Sequence, residues 1–352
     1  MPATATMKAI QIQEFNAPFK VSDVPKPKPK AHEVLVKIHA GGFCHTDLMA
    51  LNNEFHTKLP YIGSHEPAGT ITEVGSEVQG YRIGDRVGAI SFDGPCGECP
   101  DCKAGRKLFC DNPGGMKGIT SDGGWAEYMT ADAKFLVKIP DAVPFEVAAA
   151  HMCAGLTMYG SILNAQLPKS GSVAIVGIGG LGHIGTQIAK ALGYTVVAVD
   201  TKQEALDLAN SFKHKPDICM LARTDDVKSI LDKLAEIHPD EYGYRGVDAA
   251  IIATDQPPSF KTASELTRKH GKLVLVGQPA EGITMQFYDT IFRDLTLVGS
   301  LLAEPERGKE LMELVEKEDI KVHITTWKPE QAEEMRQQYL RGQSKGKNVI
   351  VF

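Results

Sequence analysis

The chain has 352 residues, 43% of them hydrophobic, which exceeds the length at which one core usually divides; two domains are expected and wholesale disorder is excluded. A formal net charge of -6, with no block of like charges, leaves no electrostatic footprint for nucleic acid or an anionic membrane surface. Seven cysteines in so long a chain do not make a secreted disulfide scaffold, and clustered thiols point instead to metal binding or catalysis.

The first residues, Met-Pro-Ala-Thr-Ala-Thr-Met-Lys, lack a basic region followed by an apolar run. No later stretch reaches the roughly 18 uncharged apolar residues of a membrane helix. The expectation is a soluble, cytoplasmic protein with neither membrane nor nucleic acid as partner.

Residues 1 to about 150 read as short alternating strands separated by Gly and Pro, with Glu33 to His39 and Thr70 to Val74 as examples. Val24 to Lys30, with its three prolines, reads as extended chain because proline restricts itself and the residue before it. Cys44 follows in Gly-Gly-Phe-Cys-His-Thr-Asp, and His65 in Gly-Ser-His-Glu-Pro-Ala-Gly.

Cys96, Cys99, Cys102 and Cys110 then form CxxCxxCx7C in a loop of turn-forming residues. CxxC turns aim paired sulfurs at one point, and four thiolates close a tetrahedral zinc shell, so the site is expected to hold a loop rather than do chemistry. An iron-sulfur cluster also takes four Cys, and unligated thiols are the bland alternative. The polarity of the segment speaks against a core role, and zinc is the expectation.

Cys153 stands in His-Met-Cys-Ala-Gly-Leu-Thr. Alone, Cys44 or Cys153 is more often a small buried hydrophobe, and His65 a satisfied core residue. Together they offer two thiolates and one imidazole, leaving a fourth tetrahedral position for water or substrate oxygen, as Lewis-acid activation requires.

From about residue 155 apolar strands alternate with helical stretches: Ser172 to Val176, Thr195 to Val199, Val247 to Ile252 and Lys272 to Val276. Such runs fit a parallel sheet covered by helices on both faces. Gly177-Ile-Gly-Gly-Leu-Gly182 links the first of these to a predicted helix, Leu181 to Leu192; Gly177, Gly179, Gly180, Leu181 and Gly182 are expected to bring backbone N–H groups to a pyrophosphate. Asp200 ends the next strand at the offset where a carboxylate takes the adenosine ribose hydroxyls, which favours NAD(H) over NADP(H); Lys202 is positioned for a phosphate or for solvent. Cys219, in an apolar run, reads as core. After Leu295 to Val298 come a helical stretch, Glu304 to Glu318, and short strands ending at Asn348 to Phe352, read as returning to the first domain.

Five features in this order, CHTD at 44 to 47, GxHE at 63 to 66, the four-cysteine loop, CAGLT at 153 to 157 and the glycine fingerprint, make the chain resemble the zinc-containing medium-chain alcohol dehydrogenases from Met7 to the C-terminus. The resemblance implies an α/β protein: a β-rich, GroES-like catalytic domain over 1 to 154, with 296 to 352 returning to it, and a Rossmann doubly wound domain over 155 to 295.

It further implies two zinc ions per subunit, one catalytic on Cys44, His65 and Cys153, with Glu66 an occasional ligand and Asp47 supporting them. His45 and Lys347 would approach the pyrophosphate, with Thr157 and Val276 along the cofactor. Thr46 would pass the alcohol proton to the cofactor ribose. The histidine that would relay it to solvent is replaced by Met49, whose thioether cannot shuttle a proton.

Ser64 and Pro67 stand where many members carry glycine. Phe92 resembles a substrate-pocket aromatic, whereas Asn53 and Phe55 do not reproduce a small ethanol pocket, so a roomier one is expected. The implied activity is interconversion of a primary or secondary alcohol and its aldehyde or ketone. A specialised carbonyl or enone reductase, and a non-catalytic zinc- and cofactor-binding relative, are the alternatives. The short stretch between Cys110 and Cys153 resembles that of the tetrameric microbial type, so a homotetramer is expected.

Overall fold

The computed structural model describes residues 5–352. The chain divides into two compact units, one running to Cys153 and resuming over Glu304–Glu316 and Val322–Phe352, the other taking Ala154–Ala303 and Lys317–Lys321.

The first unit is built around the strand Glu33–Phe43, which pairs antiparallel with Pro67–Val74, Tyr128–Asp132 and the C-terminal strand Lys347–Val351. Simple alternation fails for this strand: Val34, Leu35, Val36, Ile38, Ala40 and Phe43 are all buried. Both faces are covered, one side joining a cluster with Ile71, Val87 and Met129, and the helix Phe145–Ala150 also packing on the strand. Trp125, wholly buried, stacks on Phe43 at 5.9 Å and donates its indole N–H to the Gly41 carbonyl at 3.3 Å. A Cβ at Gly41 would stand 2.8 Å from the Gly124 carbonyl oxygen and 2.9 Å from the Trp125 ring, so only glycine lets the strand pass there.

The register of this sheet positions the site. Gly41 lies opposite Pro67, and Phe43 opposite Asn348. Cys44, the segment ending at Glu66, and Lys347 therefore leave the sheet at one end.

The second unit holds a six-stranded parallel sheet. Along the chain its strands are Ser172–Val176, Thr195–Asp200, Ile218–Leu221, Val247–Ile252, Thr267–Leu275 and Thr296–Gly299; across the sheet their order is 3-2-1-4-5-6, the doubly wound arrangement. Ser172–Val176 is buried at every position, as a central strand covered on both faces must be. The return of the chain to the first unit comes at Glu304 rather than 296, because Thr296–Gly299 pairs with Thr267–Leu275 as the sheet's last strand. Among the described residues, no helix is long and apolar enough to cross a membrane.

Candidate metal centres and dinucleotide loop

Cys44 ends the central strand and caps the helix His45–Leu51. Three residues into that helix, Asp47 turns back: its Oδ2 accepts the Cys44 N–H at 2.8 Å, and its Oδ1 accepts the Ser64 N–H at 3.2 Å. The same Oδ1 stands 3.2 Å from His65 Nδ1. One buried carboxylate thus ties together the segments carrying Cys44 and His65, and holds the imidazole so that Nε2 is left for a ligand bond. Burial opposes the charge of His65, but Asp47 and Cys44 outweigh it and raise its pKa well above the usual range.

Cys153 arrives from a single π-helical turn, His151–Gly155, an irregularity that recurs at functional sites. One ligand atom each from Cys44, His65, Glu66 and Cys153 lies within 4.8 Å of all the others. Donors at about 2.0–2.3 Å from one ion stand roughly 3.3–3.8 Å apart, so small side-chain rotations close the set. The hydrogen bond with Cys153, against burial, holds Cys44 well below the ordinary thiol range; the same bond, reinforced by burial, pushes Cys153 well above it. Two sulfurs this close, one inclined to ionise, have the chemistry of thiolate ligands that could share one cation.

Glu66 and Lys347 complete the surroundings. Lys347 Nζ donates to Glu66 Oε1 at 2.6 Å, and both side chains are buried. Glu66 Oε2 has no hydrogen-bond partner among the described residues. Burial, opposed by Lys347, pushes the Glu66 carboxyl up to about 7. An orphaned buried oxygen beside two sulfurs and an imidazole is a donor set that suits zinc.

The second cluster is local. Cys96, Cys99, Cys102 and Cys110 also bring their sulfurs within 4.8 Å of one another. Backbone N–H groups point at them: Cys99 to the Cys96 sulfur and Cys102 to the Cys99 sulfur, each at 3.4 Å, and Cys96 to the Cys110 sulfur at 3.3 Å. Backbone N–H groups of Cys102 and Asp111 lower the Cys99 thiol to about 7, whereas desolvation raises Cys102 to about 12. Gly97, at φ 75°, makes the turn between the first two cysteines.

In the second unit Gly177 adopts φ 95°, and a Cβ at Gly182 would lie 1.9 Å from the Gly177 carbonyl oxygen. Those two glycines are required by the turn itself, while Gly179 has open space where a ligand would approach. Gly180 and Leu181 lie in the same turn, and the helix Gly182–Ala191 begins directly after it. Asp200 accepts the Ile178 N–H at 2.7 Å through one oxygen and the Lys202 N–H at 2.9 Å through the other, which fixes the carboxylate at the strand end. Thr157 is buried near the start of the helix Leu156–Ala165, and the Val276 N–H donates to the Ile252 carbonyl at 3.1 Å.

Other expected residues are less committed. His45 is exposed, its ring 6.5 Å from that of Tyr339, and Thr46 Oγ1 lies 3.9 Å from Cys44 Sγ. Met49 is half-buried on the helix that carries them. Phe92 lies half-buried in a two-residue strand paired with Gly115–Met116, Asn53 occupies a turn at φ 64°, and Phe55 packs against the core cluster that contains Trp125. Cys219 sits partly buried beside Asn210, whose amide donates to its sulfur at 3.2 Å. Lys347 was expected on resemblance at the pyrophosphate; the ion pair it makes with Glu66 was not read from the sequence, which carries no local sign of it.

Two family models match, an alcohol dehydrogenase GroES-like domain over residues 30–141 and a zinc-binding dehydrogenase over residues 180–317. An alcohol dehydrogenase of Geobacillus stearothermophilus is 35% identical over 98% of this chain and 99% of its own. The chain belongs to the zinc-dependent medium-chain alcohol dehydrogenase family. A member from Sulfurisphaera tokodaii named as an NAD-dependent alcohol dehydrogenase is 32% identical over 98% of this chain and the whole of its own. The crystal structure of the alcohol dehydrogenase of Aeropyrum pernix superposes with a TM-score of 0.86, at 30% identity, covering 98% of this chain and all of that one. Membership of this family makes the chain an oxidoreductase of alcohols, with a GroES-like unit and a Rossmann unit.

Proposed function

We propose that this enzyme interconverts a primary or secondary alcohol and its aldehyde or ketone with NAD(H), and that each subunit carries two zinc ions. The observation that supports this most is the convergence of Cys44, His65, Glu66 and Cys153, drawn from distant parts of the chain, around a buried carboxylate oxygen without a partner. When bound, zinc supplies a Lewis acid for the substrate oxygen and the nicotinamide supplies hydride chemistry.

The side chains have separable tasks in this reading. Cys44, His65 and Cys153 hold the catalytic ion, and Glu66 is its occasional ligand. Asp47 fixes the His65 tautomer and the approach of Cys44. Thr46 receives the alcohol proton and passes it toward the cofactor ribose, with Met49 contributing no onward step. The loop of Cys96, Cys99, Cys102 and Cys110 holds the second ion as a brace. His45, Thr157, the turn from Gly177 to Gly182, Lys202, Val276 and Lys347 serve the cofactor, and Asp200 selects NAD(H) by binding ribose hydroxyls where a 2′-phosphate would meet its charge.

A homotetramer in the cytoplasm fits this reading. Phe287, Tyr288, Ile291 and Phe292 are each more than half exposed, close in sequence to the edge strand Thr296–Gly299, and such patches and edges are usually covered. All seven cysteines are unpaired, in keeping with a reducing compartment. The deciding experiment measures zinc content and alcohol oxidation with NAD for the enzyme and for Cys44→Ser. Loss of one zinc together with turnover is expected; a fully active Cys44→Ser enzyme contradicts the assignment.

A further inference from the structure

We infer that Ser64 is a positioning residue of the catalytic centre, its hydroxyl bridging the strand that delivers Cys44 to the segment that carries His65 and Glu66. The inference rests on the reading of Cys44 and His65 as zinc ligands. In the sheet register Ala40 faces Ala68 and Gly41 faces Pro67, so the next pair is Gly42 with Glu66. One bond of that pair is present, from the Gly42 N–H to the Glu66 carbonyl at 2.9 Å. Its reciprocal is replaced by a relay. The Glu66 N–H donates to Ser64 Oγ at 3.3 Å, and the Ser64 hydroxyl donates to the Gly42 carbonyl at 2.8 Å.

The backbone at Ser64 shows what this insertion requires. Its φ is 70°, in the left-handed region where a Cβ is disfavoured and glycine is at ease. A wholly buried serine persists there with every polar group engaged: its N–H donates to Asp47 Oδ1 at 3.2 Å, and its carbonyl accepts the Gly124 N–H at 2.8 Å. Glycine would make the same turn without strain, and only the hydroxyl distinguishes the two residues here. That hydroxyl satisfies Gly42 and Glu66 together, two residues from Cys44 on one side and one residue from His65 on the other. It sets the separation of the two ligand-bearing segments, while Asp47 sets their orientation.

Partners that orient metal ligands typically govern affinity by about 10- to 100-fold. The test follows zinc release from the full-length enzyme to the chromophoric chelator 4-(2-pyridylazo)resorcinol, with the phase absent from Cys44→Ser identifying the catalytic ion. Ser64→Gly, which suits the backbone and so folds, should accelerate that phase about tenfold and leave the other phase unchanged. Ser64→Ala should accelerate it as much and also melt lower, because it keeps the strain without the bridge. Catalytic-site release at the wild-type rate in Ser64→Gly overturns the inference, as does equal acceleration of both phases. A wild-type enzyme that shows a single zinc per chain would instead overturn the underlying ligand reading, and the role of Ser64 with it.

Discussion

Lys347 Nζ lies 2.6 Å from Glu66 Oε1, across 281 residues of sequence and with both side chains buried. The pairing follows from the strand register that sets Asn348 against Phe43, which brings the last strand of the chain beside Cys44. Each partner answers for the other: burial disfavours both charges, and Glu66, with Cys44 and Cys153, keeps Lys347 protonated. Removing one member of a buried pair costs about 3–5 kcal/mol when the remaining charge persists; Glu66, already pushed up to about 7, can instead take a proton, so the loss here should lie toward the lower end of that range. Lys347→Met should therefore lower the melting temperature by several degrees in calorimetry, and Lys347→Arg should recover most of it. An unchanged melt would show that the pair carries no such weight.

The two sulfurs and the imidazole set the pH dependence of metal uptake. Zinc needs both sulfurs as thiolates and His65 neutral; Cys44 is held well below the ordinary thiol range, whereas Cys153 and His65 are both held above their ordinary values and are the groups that retain protons against the metal. Zinc must displace those two protons, so its affinity rises with pH. Up to about 100-fold per pH unit is expected below the His65 pKa and about tenfold per unit above it. Competition against a chelator of known affinity between about pH 6 and pH 7.5 reads this slope; affinity independent of pH would contradict the proton assignment.

Asp200 accepts one backbone N–H on each oxygen, so its replacement by Asn removes the charge and also sets an amide NH2 against one of those donors. Asp200→Asn should weaken ribose binding by about 1.5–3 kcal/mol, a roughly 10- to 150-fold fall in kcat/KM for NAD. NADP should be used no worse than before. Steady-state kinetics with both cofactors measures the ratio, and an unchanged preference would remove Asp200 from the selection of the cofactor.

Met49 stands on the same short helix as Thr46 and Asp47. If the proton route to solvent limits turnover, Met49→His should speed alcohol oxidation near neutral pH, by up to about 10²-fold for a well-placed general base. Pre-steady-state kinetics with deuterated alcohol separates this from the hydride step. No change in rate would mean that proton release is not limiting and that Met49 only lines the site.

What could be read in the sequence divides by distance along the chain. The cysteine loop and the glycine turn were legible because their geometry is local: Gly182 must lack a Cβ on account of Gly177, five residues away, and four sulfurs within fifteen residues need no distant partner. Cys44, His65 and Cys153 could be grouped by their ligand chemistry, but nothing local to any of them showed that they meet, since the register of Glu33–Phe43 and the turn His151–Gly155 bring them together. The Lys347–Glu66 pair and the Ser64 bridge were illegible for the same reason, as each depends on which residue faces which across a sheet. Thr296–Gly299 was assigned to the wrong side of the boundary because an exposed edge strand lacks the apolar run that marked its neighbours.

Anomalous diffraction at the zinc absorption edge tests the central claim most directly. Crystals of the enzyme should show two peaks per chain, one among Cys96, Cys99, Cys102 and Cys110 and one bonded at about 2.0–2.3 Å to Cys44, His65 and Cys153. A peak at the four-cysteine loop alone, in protein that still oxidises alcohols with NAD, would contradict the account.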